Sequence, residues 1–230
     1  MPLNGMTSAA GALRYWERRQ EVTANNLANV STDGFKAERA FSTLMAGAPV
    51  IATATDQRLG TMRATGEAMD LSLGAGHFLV VQTDAGERYS RGGHLGFDGE
   101  GYLADQDGHR LLGTQGPIQV GAAPMSVDGD GNVSLAGKVV GQLRVESAPP
   151  NAALQHDAGT LFVPGATRTV TALDQRGVRQ GFIEESNVDS LGGLVDMISV
   201  QRAYAAVEKS ITVLDHIRET ATSQLGRGAT

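Results

Sequence analysis

The distribution of proline and glycine is the strongest constraint on what this chain can fold into. Proline is absent from residues 3–48 and 165–230, while residues 73–184 hold 20 of the 30 glycines. Since proline interrupts helices and glycine weakens them, both ends of the chain can form long helices and the middle cannot. The chain is therefore expected to be α+β, with discontinuous N- and C-terminal helices and a central all-β domain.

The C-terminal segment shows the clearest helical periodicity. Its apolar residues recur in alternating steps of three and four, at Met197, Val200, Tyr204, Val207, Ile211 and Leu214. Leu191, Leu194 and Ile198 form a second strip beside this seam. The pattern predicts a helix from about Asp189 to Leu225 with coiled-coil character.

The N-terminal segment is less regular. An apolar stripe that includes Leu13 continues at Leu27 and Val30 and predicts a helix over about residues 7–30. Gly34 fits the left-handed position that ends a helix, with Phe35 as the apolar contact after it. Both terminal stripes are too narrow to bury a whole helix. The two helices therefore either seal one globular domain as an antiparallel pair, or bury their remaining faces against other copies.

The stretch TANNLANVSTDGF at residues 23–35 combines amides and aliphatic side chains. Asn25, Asn26 and Asn29 surround Leu27 and Val30, although asparagine usually favours caps and turns. At a helix end packed among copies, these amides would satisfy backbone groups that water cannot reach. The stretch therefore predicts a polymer interface.

The middle of the chain predicts short strands. FLVVQ at residues 78–82 and LRVES at residues 143–147 have strand patterns, and three Asp-Gly turns separate further candidates. A small sandwich or an open barrel is expected. Residues 37–72 are expected to form an extended connector with one short helical turn near Phe41. The predicted organisation is a helix in residues 1–36, this connector, a β domain in residues 73–184 and a helix in residues 185–230.

Composition and motifs argue against several functions. The net charge of −6 and the absence of Lys/Arg runs disfavour nucleic-acid binding. No stretch is long and apolar enough to insert into a membrane, and the N-terminus lacks the pattern of a Sec leader.

Catalytic and metal motifs are also lacking. Without cysteine there is no thiolate ligand or thiol nucleophile. Asp128, Asp130 and Asn132 begin like a calcium loop, but Val133 and Val139 occupy its glycine and glutamate positions. The five histidines show no metal-ligand spacing, and no GxSxG motif is present. We therefore expect no enzyme, no cofactor and no metal site.

Two long motifs lie at opposite ends of the chain, ANNLANVSTDGFKAERAF at residues 24–41 and ESNVDSLGGLVDMISVQRAYAAVEKSITVLDHI at residues 185–217. Both resemble the terminal signatures of bacterial flagellar rod and hook proteins. The central stretch from Asp70 to Gly113 resembles the β-domain motif of the same family. Within the family, HRLLGTQGPIQV at residues 109–120 is most similar to the proximal-rod member next to the distal rod, whereas STDGFKAERA resembles the distal-rod member.

The resemblance implies a structural subunit of the flagellar basal body, exported by the flagellar type III apparatus. Such proteins polymerise into a tube that transmits torque from motor to hook, with the terminal helices as an inner coiled-coil layer. The implied partners are copies of the chain and other rod proteins, with ring or hook-proximal components as further candidates. The expected assembly interface comprises Leu13, Asn25, Asn26, Leu27, Asn29, Val30, Gly34, Phe35, Asn187, Val188, Leu194, Ile198, Gln201, Arg202, Tyr204, Val207, Ile211 and Leu214.

Two readings from other classes stay open at this point. A glycan hydrolase on the β domain would need a cleft with two acids at working distance, and the sequence shows none. A β-domain binding module on a helical stalk would explain the periodic termini, but a plain stalk does not explain the asparagine-rich helix end.

Overall fold

The structure is a computed structural model that describes residues 2–45, 48–121, 123–149, 154–157 and 159–227. The chain is α+β, as predicted, with one long helix at each end and a central region of many short strands. Helix α1 spans Pro2–Ala28 and helix α2 spans Ser190–Arg227. The predicted start of α2 is confirmed within one residue, while α1 begins earlier than the stripe indicates and ends before Val30.

The strands between the helices are short. In chain order they are β1 (Glu38–Met45), β2 (Ala48–Thr55), β3 (Met62–Ala64), β4 (Asp70–Ser72), β5 (His77–Thr83), β6 (Gly86–Ser90), β7 (Gly92–His94), β8 (Gly96–Phe97), β9 (Leu103–Ala104), β10 (Arg110–Gly113), β11 (Gly116–Pro117), β12 (Met125–Val127), β13 (Asn132–Leu135), β14 (Lys138–Gln142), β15 (Val145–Ser147), β16 (Gln155–His156), β17 (Phe162–Val163), β18 (Thr169–Val170), β19 (Arg179–Gln180) and β20 (Phe182–Glu184).

Strand β5 organises the largest sheet. Its residues pair antiparallel with β6 on one edge and with β15 and β10 on the other. The strands predicted from FLVVQ and LRVES are thus confirmed, and they are direct neighbours. The buried side chains of β5 alternate between two apolar clusters, with Leu79 and Val81 in one and Phe78 and Val80 in the other.

Residues 37–72 differ from the prediction of an extended connector with a helical turn. Phe41 lies in strand β1, which forms a two-stranded sheet with β2. Residues 46 and 47, also in the predicted connector, lie outside the described part of the chain. The helical turn was wrong because Phe41 and Leu44 have helical spacing, whereas pairing with β2 decides the local conformation.

Three hairpin turns share one hydrogen-bonding pattern, which explains the regular Asp-Gly spacing. In each turn an aspartate, Asp98, Asp105 or Asp128, accepts hydrogen bonds through one carboxylate oxygen from the backbone nitrogens two and four residues later. The glycine at the fourth position has a positive φ in all three turns. Asp128 therefore has a local structural role in place of the calcium ligation that its motif resembles.

The chain divides into two compact units. The helical unit comprises Met1–Leu27, Glu38–Thr53 and Asp189–Thr230, and the β unit comprises Ala28–Ala37 and Ala54–Val188. The helical unit contains equal numbers of acidic and basic residues, so the net charge of −6 lies in the β unit. The sequence-based boundaries at residues 36, 72 and 184 remain predictions.

Candidate assembly surfaces

Helix α2 is apolar on two opposite faces. Since each residue turns the helix by about 100°, the seam from Met197 to Leu214 lies opposite a second face. On the seam, Val200 is fully buried and the other apolar residues are half-buried. The opposite face, here called the exposed stripe, consists of Leu191, Leu194, Val195, Ile198, Val213 and Ile217, which are between 50 and 72% exposed. A helix that is apolar on both sides is typical of one that is covered on both sides.

The structure separates the predicted interface residues of α2 into these two faces. Leu194 and Ile198 lie on the exposed stripe, and Gln201 and Arg202 are also exposed. The seam residues that were predicted are half-buried, namely Tyr204, Val207, Ile211 and Leu214. The first group is therefore available to a partner, while the second is already partly covered within the chain.

Three members of the exposed stripe were missed by the sequence analysis. Val195 lies four residues after Leu191 and three before Ile198, so its spacing alone indicates the same face. Val213 and Ile217 extend that face further along the helix. The stripe is interrupted around Arg202 and Lys209, which hides its continuity in the sequence.

Strands β1 and β2 form a ribbon with apolar residues on both faces. Phe41 and Leu44 are exposed, Leu44 to 74%, and Val50 on β2 is exposed as well. Because successive side chains of a strand alternate, Phe41 and Leu44 point to opposite faces of the ribbon. A two-stranded sheet alone is marginally stable in water, so this ribbon needs contacts with other elements.

Asn26 pairs with the first residue of β1. Its side-chain amide donates to the carbonyl oxygen of Glu38 at 2.8 Å, and its amide oxygen accepts from the Glu38 nitrogen at 2.9 Å. Asn25 is exposed, and Leu27 is half-buried. The amide of Asn26 therefore occupies the position that a neighbouring strand would take at this edge.

Beyond the end of α1, Asn29 takes part in a turn within the β unit. Thr32 donates from its nitrogen to the Asn29 carbonyl and from its hydroxyl to the Asn29 side-chain oxygen, both at 3.1 Å. Val30 next to it is half-buried. Asn26 and Asn29 thus have separate local roles, and the sequence alone does not distinguish them.

Contacts between α1 and α2 occur in antiparallel order. A methyl group added at Gly193 would come within 2.8 Å of Leu27 Cδ1, so the two helices approach closely there. Arg19 lies 3.9 Å from Asp196, and Arg218 contacts Met6. Leu13, between these points, is half-buried.

A buried ionic cluster in the β unit connects two distant parts of the chain. This cluster, called the terminal clamp below, consists of Lys36, Arg91 and Glu184. Lys36 donates to one oxygen of Glu184, and Arg91 donates to the other through Nε and Nη2 at 2.8 and 2.6 Å. Burial lowers the pKa of Lys36, with a smaller lowering by Arg91, against the attraction of Glu184. The clamp joins the segment just before β1 to the segment that precedes α2.

Asn187 continues this connection. Its side-chain oxygen accepts from the Ala37 nitrogen at 2.7 Å, and its amide donates to the carbonyls of Asp56 and Arg58, both at 2.9 Å. Val188 beside it is half-buried. Asn187 of the predicted interface therefore connects separate segments of the β unit at this point.

Gly34 and Phe35 are buried in the same region. Gly34 has the expected positive φ, 75°, but it lies six residues after the end of α1, so the prediction that it ends the helix was wrong. Its nitrogen instead donates to the Glu184 carbonyl at 2.6 Å. The ring of Phe35 stacks on His156 with centroids 5.3 Å apart. In this subunit both residues contribute to the core of the β unit.

A second buried carboxylate, Glu146, lies at the edge of the large sheet. Tyr89 donates to it at 2.6 Å, and Arg144 and Arg168 donate at 2.7 and 2.9 Å. Burial, followed by the interaction with Glu146, raises the pKa of Tyr89 to about 12. Every member of this cluster has a charge or hydrogen-bond partner, which indicates a structural network.

Among the described residues, one group of side chains has the spacing of possible metal ligands. Asp105, Asp107 and His109 lie close enough for their ligand atoms to share an ion, but Asp105 already accepts from the backbone of the other two and contacts the His109 ring. The hydrogen bonds of the hairpin turn at Asp105 account for this cluster. No described helix is long and apolar enough to cross a membrane.

Three family models match successive parts of the chain. The model for "Flagella basal body rod protein" matches residues 6–36, and "Flagellar hook protein FlgE/F/G D1 domain" matches residues 73–135. The model for "Flagellar basal body rod FlgEFG protein C-terminal" matches residues 179–225. The matches cover most of both helices and the first part of the β unit.

Curated relatives align over almost the whole chain. The flagellar basal-body rod protein FlgF of Escherichia coli is 32% identical, covering 90% of this chain and 92% of the relative. FlgF of Caulobacter vibrioides is 29% identical, covering 91% of this chain and 93% of the relative. FlgG of Bacillus subtilis is 28% identical, covering 94% of this chain and 96% of the relative.

Proposed function

The chain belongs to the family of flagellar basal-body rod proteins, a family of structural proteins, and on that premise we propose that it polymerises through its terminal helices into the tubular rod that transmits torque from motor to hook. In this proposal α1 and α2 form an inner coiled-coil layer and the β unit forms an outer layer. The chain is exported by the flagellar type III apparatus and assembles with copies of itself and neighbouring rod proteins.

The exposed stripe of α2 carries this proposal. Its six apolar side chains are at least half exposed, and leaving such a surface in water forfeits roughly 25 cal/mol for every Å² that a partner would cover. The helical unit also has no net charge, so copies can pack there without electrostatic repulsion. A second copy that covers the stripe would bury α2 on both sides.

The predicted interface residues take different parts in this proposal. Leu194, Ile198, Gln201 and Arg202 contact neighbouring copies directly. The seam residues and Leu27 join α1 to α2 within the subunit and contact copies with the area that remains exposed. Buried or locally bonded residues support the interface from within the subunit, namely Asn26, Asn29, Gly34, Phe35, Asn187 and Val188.

We propose that the chain lies in the proximal rod, next to the distal rod. Identity alone does not separate the two positions, because the FlgF and FlgG relatives differ by only a few percent. The stretch HRLLGTQGPIQV favours the proximal position. The distal rod is the second candidate, favoured by STDGFKAERA.

A charge placed on the exposed stripe tests the proposal. We expect Ile198→Glu to abolish swimming in a strain that lacks its own copy, and to leave the protein absent from isolated basal bodies. Ser210→Glu is the matched control, because Ser210 is exposed on a flank of the same helix. Circular dichroism of both purified variants checks that the fold is retained. Normal swimming by a folded Ile198→Glu protein would contradict the proposal.

A further inference from the structure

Phe41 and Leu44 form an apolar surface on the β1–β2 ribbon, called the ribbon tip below, that the chain itself leaves exposed. Phe41 and Leu44 point to opposite faces, so the tip exposes apolar area on both sides. A strand that is apolar on both faces is typical of one that is covered on both faces. The ribbon tip therefore resembles an element that lies between two others and is covered by both.

The first two turns of α2 offer a matching surface. Leu191, Leu194, Val195 and Ile198 have the spacing of a single helical face, and all four are more than half exposed. From Leu191 to Ile198 the helix advances about 10 Å, at 1.5 Å per residue. Two paired strands have axes about 4.8 Å apart. With their side chains included, their width is close to this length of helix.

Both surfaces are uncharged. Residues 40–55 of the ribbon contain no charged side chain, and neither do residues 190–195 of α2. Charged residues are depleted at the core of interfaces because their desolvation is costly. Each surface therefore suits an apolar, neutral partner and disfavours a charged one.

The two surfaces do not cover each other within one chain, because both are exposed in the same structure. We propose that the ribbon tip of one copy docks on the first two turns of α2 in a second copy, an inference that rests on the proposed polymerisation. Two different patches then meet, and such a heterologous contact continues from copy to copy, as a helical tube requires.

The size of the contact fits a polymer better than a free dimer. The six apolar side chains offer on the order of several hundred Å², less than the roughly 1,200 Å² that a stable pairwise interface buries. The contact is therefore weak for two isolated chains and forms where several contacts act together. We expect free subunits to stay monomeric until they meet a growing end.

Disulfide trapping tests this docking directly, because the chain has no cysteine of its own. Leu44→Cys and Leu194→Cys chains, produced together in cells that lack the native copy, should form a crosslinked heterodimer in isolated basal bodies after oxidation. Val139→Cys with Leu194→Cys is the matched control, since Val139 is an exposed apolar residue of the β unit. This control pair should not crosslink.

The outcomes separate the docking from the proposed function. Basal bodies that contain both chains without a 44–194 crosslink would overturn the docking and leave the rod function intact. Absence of the unmodified chain from basal bodies would overturn the rod function, and the docking with it.

A charge pair provides a second test that does not depend on crosslinking. We expect Leu44→Glu to lower incorporation into basal bodies at least tenfold, and Leu194→Lys in the same chain to restore much of it. Lack of restoration, with both variants folded by circular dichroism, would contradict a direct contact between the two positions.

Discussion

Asn26 binds the backbone of Glu38 through both atoms of its side-chain amide, at 2.8 and 2.9 Å, as a neighbouring strand would. This pairing joins the end of α1 to the start of the β1–β2 ribbon. It gives one asparagine of the amide-rich stretch a definite role within the subunit. The Asn26 side chain thus contributes to positioning the ribbon and the docking tip.

Replacing Asn26 should loosen the ribbon. Asn26→Leu preserves bulk but removes two hydrogen bonds, a loss of about 1–3 kcal/mol in local stability. We expect faster hydrogen–deuterium exchange in residues 38–45 and reduced incorporation into basal bodies. Ala24→Leu is the control, because Ala24 is exposed on the same helix and an alanine side chain has no hydrogen bond to lose. Equal exchange rates in the two variants would argue against the role of Asn26.

Gly60 should tolerate no side chain. A methyl group there would overlap the backbone carbonyl of Glu185, and the Gly60 nitrogen donates to Glu184 at 2.8 Å. We expect Gly60→Ala to lower the free energy of unfolding by about 2–3 kcal/mol, the cost typical of overpacking. Gly96→Ala is the control, since its methyl group meets no atom within 4 Å. Urea unfolding of both variants measures the difference, and a similar small effect in both would contradict the close approach.

Removing the charge of Glu184 should lower the stability of the fold more than removing the charge of Glu185. Glu184→Gln leaves the buried Lys36 and Arg91 without a counter-charge, which costs about 3–5 kcal/mol for a broken buried pair. Glu185→Gln removes a partly exposed pair with Arg63 and should cost about 0–1 kcal/mol. Thermal unfolding of the two variants compares them under identical conditions. Equal melting temperatures would show that the clamp contributes little.

The β unit should lose stability in acid through Glu146. Burial alone would raise the pKa of Glu146, but hydrogen bonds from Tyr89, Arg168 and Arg144 outweigh it and lower the pKa below the ordinary value of 4.5. Because the folded pKa is depressed, the stabilisation is fully present above pH 4.5 and is lost as the pH falls through the folded pKa. Glu146→Gln should therefore flatten the dependence of unfolding free energy on pH in this range. An unchanged slope would contradict this assignment.

The sequence predicts the architecture well because its signals are periodic and long. The α2 seam repeats over many residues, and β5 is a continuous apolar run, so both were located within a few residues. The Asp-Gly turns were also predictable, since their hydrogen bonds are local to five residues. Local and repeated signals of this kind do not depend on the tertiary structure.

The terminal clamp could not be predicted from the sequence. Lys36 and Glu184 are 148 residues apart, and a single lysine or glutamate carries no sign of burial or partner. The Asn26 pairing is hidden for a similar reason, because an amide that bonds a strand edge looks like one that caps a helix. The β1–β2 ribbon was missed because Phe41 and Leu44 match a helical spacing as well as a strand.

Electron cryomicroscopy of isolated basal bodies tests the central claim most directly. In a helical reconstruction of the rod, we expect Leu191, Leu194 and Ile198 of each copy to lie against another copy, so that side chains now more than half exposed become buried. A rod that contains this chain but leaves the three side chains facing solvent or the central channel would contradict assembly through the exposed stripe.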